Sequence, residues 1–292
     1  MYSEFARAAG EIAREAGQFL KHFSDTHRLS VEHKGSDFDF VTNADRESQR
    51  LIAARLHERF PDHRFVGEED GLDDDQVAGI LNSGDWCWVC DPLDGTVNYI
   101  HHLPLYAVSI GLVKDGRALA GAICVPEFDD LYTAARGAGA FLNGQPIRTS
   151  GSDDLRHAFV SADLAAMNLA MREVNLERVK RVGLAVGGLR VGGSACVSIA
   201  RTACGWQDAY WNIGLHAWDV AAGIVLLEEA GGTAADIFGG PFDFGMKRGF
   251  LGASTAGLSR AIGEVMPRCT AGRNAGSRRR SRISLPRGIS CG

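Results

Sequence analysis

The sequence predicts a mixed protein, α+β in its first half and α/β in its second. Three observations carry this. Apolar residues in the first 60 positions recur every three or four residues, the period of a helix. Between residues 63 and 147, short β-rich runs are separated by the tight-turn signatures KDGR and LNGQP, which join antiparallel neighbours. Beyond about residue 152, strand-like and helix-like segments alternate, as in α/β folds.

In MYSEFARAAGEIAREAG and its continuation, Phe5, Ala9, Ile12, Ala16, Phe19 and Phe23 share one face, which makes an amphipathic helix. Its early acids and lack of an apolar block argue against a secretory signal. A polar loop leads to a second helix after VTNAD, with Leu51, Ile52, Ala54 and Leu56 on its apolar side and an end at Phe60-Pro61. The runs HRFVGEE, DWCWVCD, YAVSIGLVKDG, ALAGAICVPEFDDLYTAAR and GAFLNGQPI then read as strands. In the second half AFVSAD reads as a strand and LAAMNLAMREVNLERVKRV as a helix. GLRVGGSACVSIARTACG is a Gly-rich entry to a helix, QDAYWNI a strand, and WDVAAGIVLLEEAGG a helix with glycine at its end. GGTAADIFGG and RGFLGAS are short strands, and TAGLSRAIGEV is a last helix. The expected units are residues 1–150, residues 151–267, and a tail, 268–292, rich in Arg, Ser and Gly, that cannot bury a core and reads as disordered.

An apolar fraction of 45% with 23% charged residues is that of a soluble globular protein. No run approaches the roughly 18 apolar residues of a membrane helix. Seven of the 31 basic residues and none of the 36 acids lie from Arg268 onward, which leaves residues 1–267 at net −12. An acidic body does not suit a nucleic-acid partner, except through the Arg-rich tail or where a cation intervenes. Seven cysteines, an odd number without even spacing, indicate a reducing, cytoplasmic setting. Cys87 and Cys90 form a C-x-x-C, but on a strand residues i and i+3 point to opposite faces, so they read as buried small side chains and not as a metal or redox pair.

Four acidic places stand at element ends. Asp45 closes VTNAD, where Thr42 and Asp45 match a capping box. Glu68 and Glu69 follow the apolar FVG, and the DGLDDDQ after them reads as solvated. Asp91 and Asp94 flank Pro92-Leu93 at the end of a strand. Asp219 follows Trp218 at the start of an apolar helix, where an acid also suits the helix dipole. Each has an ordinary structural reading alone. Together, on partly buried ground, they would repel one another unless a cation sat among them. All-oxygen donors favour a hard ion such as Mg²⁺, which acts with phosphate oxygens. Pro92 stiffens the turn, Gly95 admits close approach, and Thr96 opens a helix where an anion binds. The Gly-rich GGLRVGGSA suits the same anion or its leaving group.

GEED at 67–70, WVCDPLDGTVNY at 88–99 and WDVAAGIVLLEEAGG at 218–232, with VTNAD upstream and NGQPI between, resemble the inositol monophosphatase family of Mg²⁺-dependent, lithium-sensitive phosphatases. The likeness runs from about residue 5 to 266. It implies a layered αβαβα sandwich of the inositol monophosphatase and fructose-1,6-bisphosphatase type, usually a homodimer, acting on a small phosphorylated metabolite with two to three Mg²⁺ ions. Carried over, Glu68, Asp91 and the Leu93 carbonyl would hold one ion, and Asp91, Asp94 and Asp219 a second. A weaker third would sit near Glu68. Asp45 and Thr96 would orient and activate the attacking water, while Gly95 and Thr96 hold phosphate oxygens. Gly193, Ser194 and Ala195 match the leaving-group loop.

V-N-Y after the motif, and the spacing from Lys34 to Asp45, resemble the inositol-type branch, which makes inositol 1-phosphate the first substrate to expect. One departure is Asn212, in YWNIGLHAWD, where the family commonly has a glutamate for substrate hydroxyls; an amide keeps hydrogen bonds but loses the charge. A nucleotide or sugar bisphosphate phosphatase is therefore the alternative enzyme. A regulatory protein binding RNA or transcription machinery through the tail is the alternative of another class. Arg190 could meet a second phosphate or an acid of a partner subunit, His101-His102 reads as a loop at the substrate entrance, and Trp206, Trp211 and Trp218 read as core or dimer-interface residues.

Overall fold

A computed structural model describes residues 2–33, 40–164, 169–244 and 249–266. Lys34 and the tail 268–292 lie outside the described residues. From the N-terminus, α1 (Tyr2–Thr26) is followed by β1 (Val31–His33), β2 (Phe40–Thr42) and α2 (Asn43–Arg59). Next come β3 (Arg64–Gly67), α3 (Asp74–Leu81), β4 (Cys87–Asp94) and a short α4 (Thr96–Ile100). The meander β5 (Ala107–Lys114), β6 (Arg117–Val125), β7 (Asp130–Ala135), β8 (Gly139–Leu142) and β9 (Gln145–Pro146) follows. The remainder alternates: β10 (Phe159–Ala162), α5 (Leu169–Ala185), β11 (Gly188–Val191), α6 (Ala195–Ala203), β12 (Ala209–Asn212), α7 (Ala217–Glu229), β13 (Thr233–Ala235), β14 (Phe250–Ala253) and α8 (Ala256–Val265).

One sheet has seven strands in sequence order, β3 to β9, and the other has five in the order β11-β10-β12-β14-β13. The larger is antiparallel except for β3, which runs parallel to β4. Its Asp-Gly and Asn-Gly turns put both central residues at positive φ: Asp115 and Gly116, then Asn143 and Gly144. That geometry matches the twist of the flanking strands. In the smaller sheet β10 is parallel to both β11 and β12, while β14 is antiparallel to β12 and β13.

Five layers result. On one face of the large sheet Ile12 and Leu20 of α1 and Ile52 and Leu56 of α2 pack on Trp88, Cys90, Ile110 and Leu112. Between the sheets lie α6 and α7, with Ile199, Val220 and Leu226 set against Val89 and Ile123 on one side and Tyr210 and Phe250 on the other. Outermost, Val182 of α5 and Leu258 and Ile262 of α8 cover Val160, Trp211 and Leu251. Each such side chain contributes about 1.5–3 kcal/mol by leaving water. Helix sequence follows layer: α1 is amphipathic because one side faces solvent, whereas α7 is buried from Ala217 through Leu227 and has no polar stripe. It lies close to the sheet, since a Cβ on Gly111 would come within 2.7 Å of Ala221.

Several segments differ from the reading by sequence. The polar loop before α2 contains the antiparallel pair β1–β2. GLRV, taken into a helix entry, is strand β11, because its neighbour β10 offers a parallel edge. The acidic DGLDDDQ opens α3, capped reciprocally by Asp73 and Gln76 at 2.8 and 3.0 Å. Trp211 and Trp218 are buried, but Trp206 is 55% exposed. No helix among the described residues is long and apolar enough to cross a membrane.

Candidate active site

The site grows from the end of β4. Asp91 pairs with Ser109 and Asp94 with Ala107, so three steps on β4 face two on β5. This bulge turns the strand at Pro92, whose missing N–H leaves no ladder bond unmade. Ser48 of α2 anchors it by donating to the Pro92 carbonyl at 2.9 Å. Gly95 follows at φ +89°, and a Cβ there would sit 2.9 Å from the Leu105 carbonyl oxygen. Only glycine relieves both constraints.

Asp45 approaches from the start of α2. Its Oδ2 accepts from the Thr42 amide (2.9 Å) and hydroxyl (2.5 Å), the predicted capping box, and its Oδ1 accepts from the Thr96 hydroxyl at 3.0 Å. The Leu93 carbonyl lies within 3.1 Å of that same hydroxyl. In GEED, Gly67 and Asp70 close the loop on itself: the Gly67 amide donates to Asp70 (2.8 Å), and Gln49 holds Asp70 and the Glu69 amide. Glu68 is left to border the cavity. Asp219 stands in the first turn of α7, its Oδ2 accepting from the His216 amide at 2.6 Å. The His216 ring stacks on Trp218 and meets Asp74 of α3 at 2.7 Å.

The loop before α6 is strung between two buried aspartates. Asp163, at the end of β10, accepts from the Gly192 and Gly193 amides at 3.0 and 2.6 Å. Asp94 accepts from the Ser194 hydroxyl and from the Ala195 and Cys196 amides, the latter two at 3.2 and 2.9 Å. Asn98 ties the loop to α4 through the Gly192 carbonyl at 2.9 Å.

A cavity of about 460 Å³ is bordered by Glu68, Asp91, Leu93, Asp94, Gly95, Thr96, Gly193, Ala195, Asn212 and Asp219. Of the residues expected from sequence, Asp45 and Ser194 stand one layer back, behind Thr96 and Asp94 respectively. Arg190 faces elsewhere, over the Phe159 ring at 5.0 Å. His101 and His102 follow α4 in exposed positions and do not line the cavity. Sequence reasoning missed Asp163, Tyr210, Arg172, His216 and Cys196, although Asp163 ends an apolar run in the same manner as Asp91.

The electrostatics are those of crowded negative charge. Burial pushes Asp91 well above the carboxylate range, and Glu68, Asp94 and Asp219 add to the shift. Burial lifts Asp94 to about 7 and Asp219 to about 6, despite the donors on the first and His216 beside the second. Asp45 rises to about 6, chiefly through burial, with Glu68 adding repulsion and the Thr42 bonds opposing. Oxygens of Asp91 and Asp94 and the Cys196 sulfur lie within 4.8 Å of one another. Burial drives the Cys196 thiol pKa up, so it stays protonated while the carboxylates are the donors. A divalent cation fits this set: it offsets the repulsion that burial imposes, and its donors are hard oxygens.

The description "Inositol monophosphatase family" belongs to the family model that matches residues 1–268. "Inositol monophosphatase 2" of Homo sapiens is 36% identical over 277 residues, covering 94% of each chain. "Inositol-1-monophosphatase" of Mesorhizobium japonicum is 38% identical over 231 residues, 79% of this chain and 84% of that one. The solved structure of extragenic suppressor protein suhB from Bartonella henselae superposes with a TM-score of 0.80 at 31% identity, covering 89% of this chain and 97% of its own.

Proposed function

The chain belongs to the inositol monophosphatase family, and from that premise we propose that it hydrolyses a small polyol phosphate, inositol 1-phosphate first, with Mg²⁺. It is a phosphoric monoester hydrolase of this superfamily; the substrate and the ion are our reading. One observation carries that reading: the β4 bulge brings Asp91 and Asp94 to one cavity that Glu68 and Asp219 also border, with the Asp45–Thr96 pair beside them.

Glu68, Asp91, Asp94, Asp219 and the Leu93 carbonyl would hold two to three Mg²⁺ ions. When bound, Mg²⁺ lowers the pKa of water and offsets charge on the phosphoryl group. Thr96, donating to Asp45, keeps lone pairs to accept a proton from the attacking water, and Asp45 takes the proton onward. A pKa near 6 leaves Asp45 largely ionised at neutral pH and still basic enough for that role. Gly95 and Thr96 amides would hold phosphate oxygens, and the Gly193–Ala195 loop would border the leaving group. In this reading residues 1–150 carry most of the acids and residues 151–267 close the cavity. The reading extends to a lithium-sensitive, cytoplasmic homodimer.

The test is phosphate release from inositol, sugar and nucleotide phosphates, with Mg²⁺ and with chelator. Mg²⁺-dependent turnover led by inositol 1-phosphate is expected. A lead by a bisphosphate would replace the substrate, and equal turnover in chelator would remove the ion.

A further inference from the structure

Asn212 stands where a charged side chain was expected, and its amide is already engaged. Its Oδ1 accepts from the Ile213 and Gly214 amides at 2.7 and 3.3 Å, and its Nδ2 faces the Tyr210 hydroxyl at 3.4 Å. That hydroxyl donates to Asp163 Oδ2 at 2.9 Å. The negative charge beside Asn212 therefore belongs to Asp163, which is 7% exposed and borders the cavity with Tyr210 and Asn212. Among the described residues, the other four acids on the wall, Glu68, Asp91, Asp94 and Asp219, are those assigned to the cation.

Each carboxylate oxygen has about two acceptor positions. Asp163 Oδ1 fills both with the Gly192 and Gly193 amides, whereas Oδ2 has one donor among the described residues, Tyr210. The open position on Oδ2 accepts only. It suits a hydroxyl and repels a second phosphate, so it discriminates by attraction and by repulsion together. Arg172 also borders the cavity and is the side chain that would read a second phosphate if one were favoured.

We propose that Asp163, in place of Asn212, selects the leaving group, favouring a polyol monophosphate with a free hydroxyl over a bisphosphate. This rests on the phosphatase reading above and deepens it. The experiment compares kcat/KM for inositol 1-phosphate, phenyl phosphate and fructose 1,6-bisphosphate in wild type, Asp163→Asn and Tyr210→Phe, with thermal melts of each. Losing a hydrogen bond to a charged group should lower the ratio of inositol 1-phosphate to phenyl phosphate in Asp163→Asn by about 10- to 100-fold, mainly through KM. Discrimination against the bisphosphate should shrink in the same variant. Tyr210→Phe, which keeps the carboxylate, should retain the order of preference. An equal fall on all three substrates in Asp163→Asn, with a lowered Tm, would reduce Asp163 to a support for the Gly192–Gly193 turn and overturn the proposal. So would a wild-type preference for the bisphosphate that Arg172→Ala abolishes. Wild-type turnover of none of the three would instead defeat the phosphatase reading, and this inference with it.

Discussion

Cys87–Cys90 and Asp91–Asp94 have the same spacing on the same strand, yet one pair diverges and the other converges. Along β4, Cys87 and Val89 face the central helices while Trp88 and Cys90 face α1 and α2, as regular alternation requires. At Asp91 the register slips by one residue against β5. Leu93 then packs with the α1–α2 layer, and Asp94 turns to the central side, where the start of α6 donates to it. Spacing therefore does not decide whether two side chains share a ligand; the ladder between them does. A bulge makes i and i+3 behave as i and i+2.

Removing a charge from the converging pair gives the largest effect. Asp94→Asn should lower Mg²⁺-dependent phosphate release by about 10³-fold or more, and Mg²⁺ should no longer raise its Tm. An unchanged Mg²⁺ response would mean that convergence at the bulge does not serve a cation.

The turn that aims the pair can be strained instead. Gly95→Ala forces a side chain into positive φ and toward the Leu105 carbonyl, which costs about 1–3 kcal/mol. A lower Tm and a fall in turnover of about 10- to 100-fold are expected, read by thermal melts and phosphate release. A wild-type rate and Tm would show that the turn yields easily.

Titration sharpens the comparison further. Asp45, Asp94 and Asp219 have folded pKa values raised to about 6, 7 and 6, with burial the first cause of each, and Asp91 rises as well. Unfolded aspartate titrates near pH 3.9, so the folded protein binds these protons more tightly. Their contribution is fully present below about pH 4 and is lost as pH rises through about 6 to 7. In chelator, Tm should fall between about pH 5 and pH 8 by on the order of 5–10 °C, and Mg²⁺ should flatten that decline. A chelator-treated Tm that rises over this range would contradict the crowding of uncompensated acids.

The diverging pair gives the smallest effect. Burial raises the pKa of both thiols, so neither should react with a thiol reagent before unfolding. Cys87→Ala and Cys90→Ala should each cost about 1 kcal/mol of stability and leave the Mg²⁺ dependence of phosphate release as in wild type. A shift in that dependence in either variant would place the thiols in the site after all.

Much of the candidate site was legible because acids at the ends of apolar runs break a local pattern. Glu68, Asp91, Asp94 and Asp219 do so and border one cavity, while Asp45, marked by its capping box, stands one layer back behind Thr96. Asp163 breaks it too, at the end of AFVSAD, but stood alone there without a neighbouring acid to draw notice. His216 and Asp74 meet across 142 residues, and neither residue carries a local mark of the other. DGLDDDQ looked solvated because its helix is short and its acids dominate, while the cap that starts it is a pair of side chains folded onto each other.

Patterning within the chain determined which residues are helical, which strands are joined by tight turns, and which acids sit where water is scarce, because period, turn chemistry and polarity are properties of neighbours. Tertiary structure alone decided that β11 is a strand, that Asn212 turns its oxygen onto its own loop, and that Asp94 swings to the face of Asp91. Those outcomes depend on a sheet edge, a facing amide and a register, each supplied by residues distant in sequence that only folding brings within hydrogen-bonding reach.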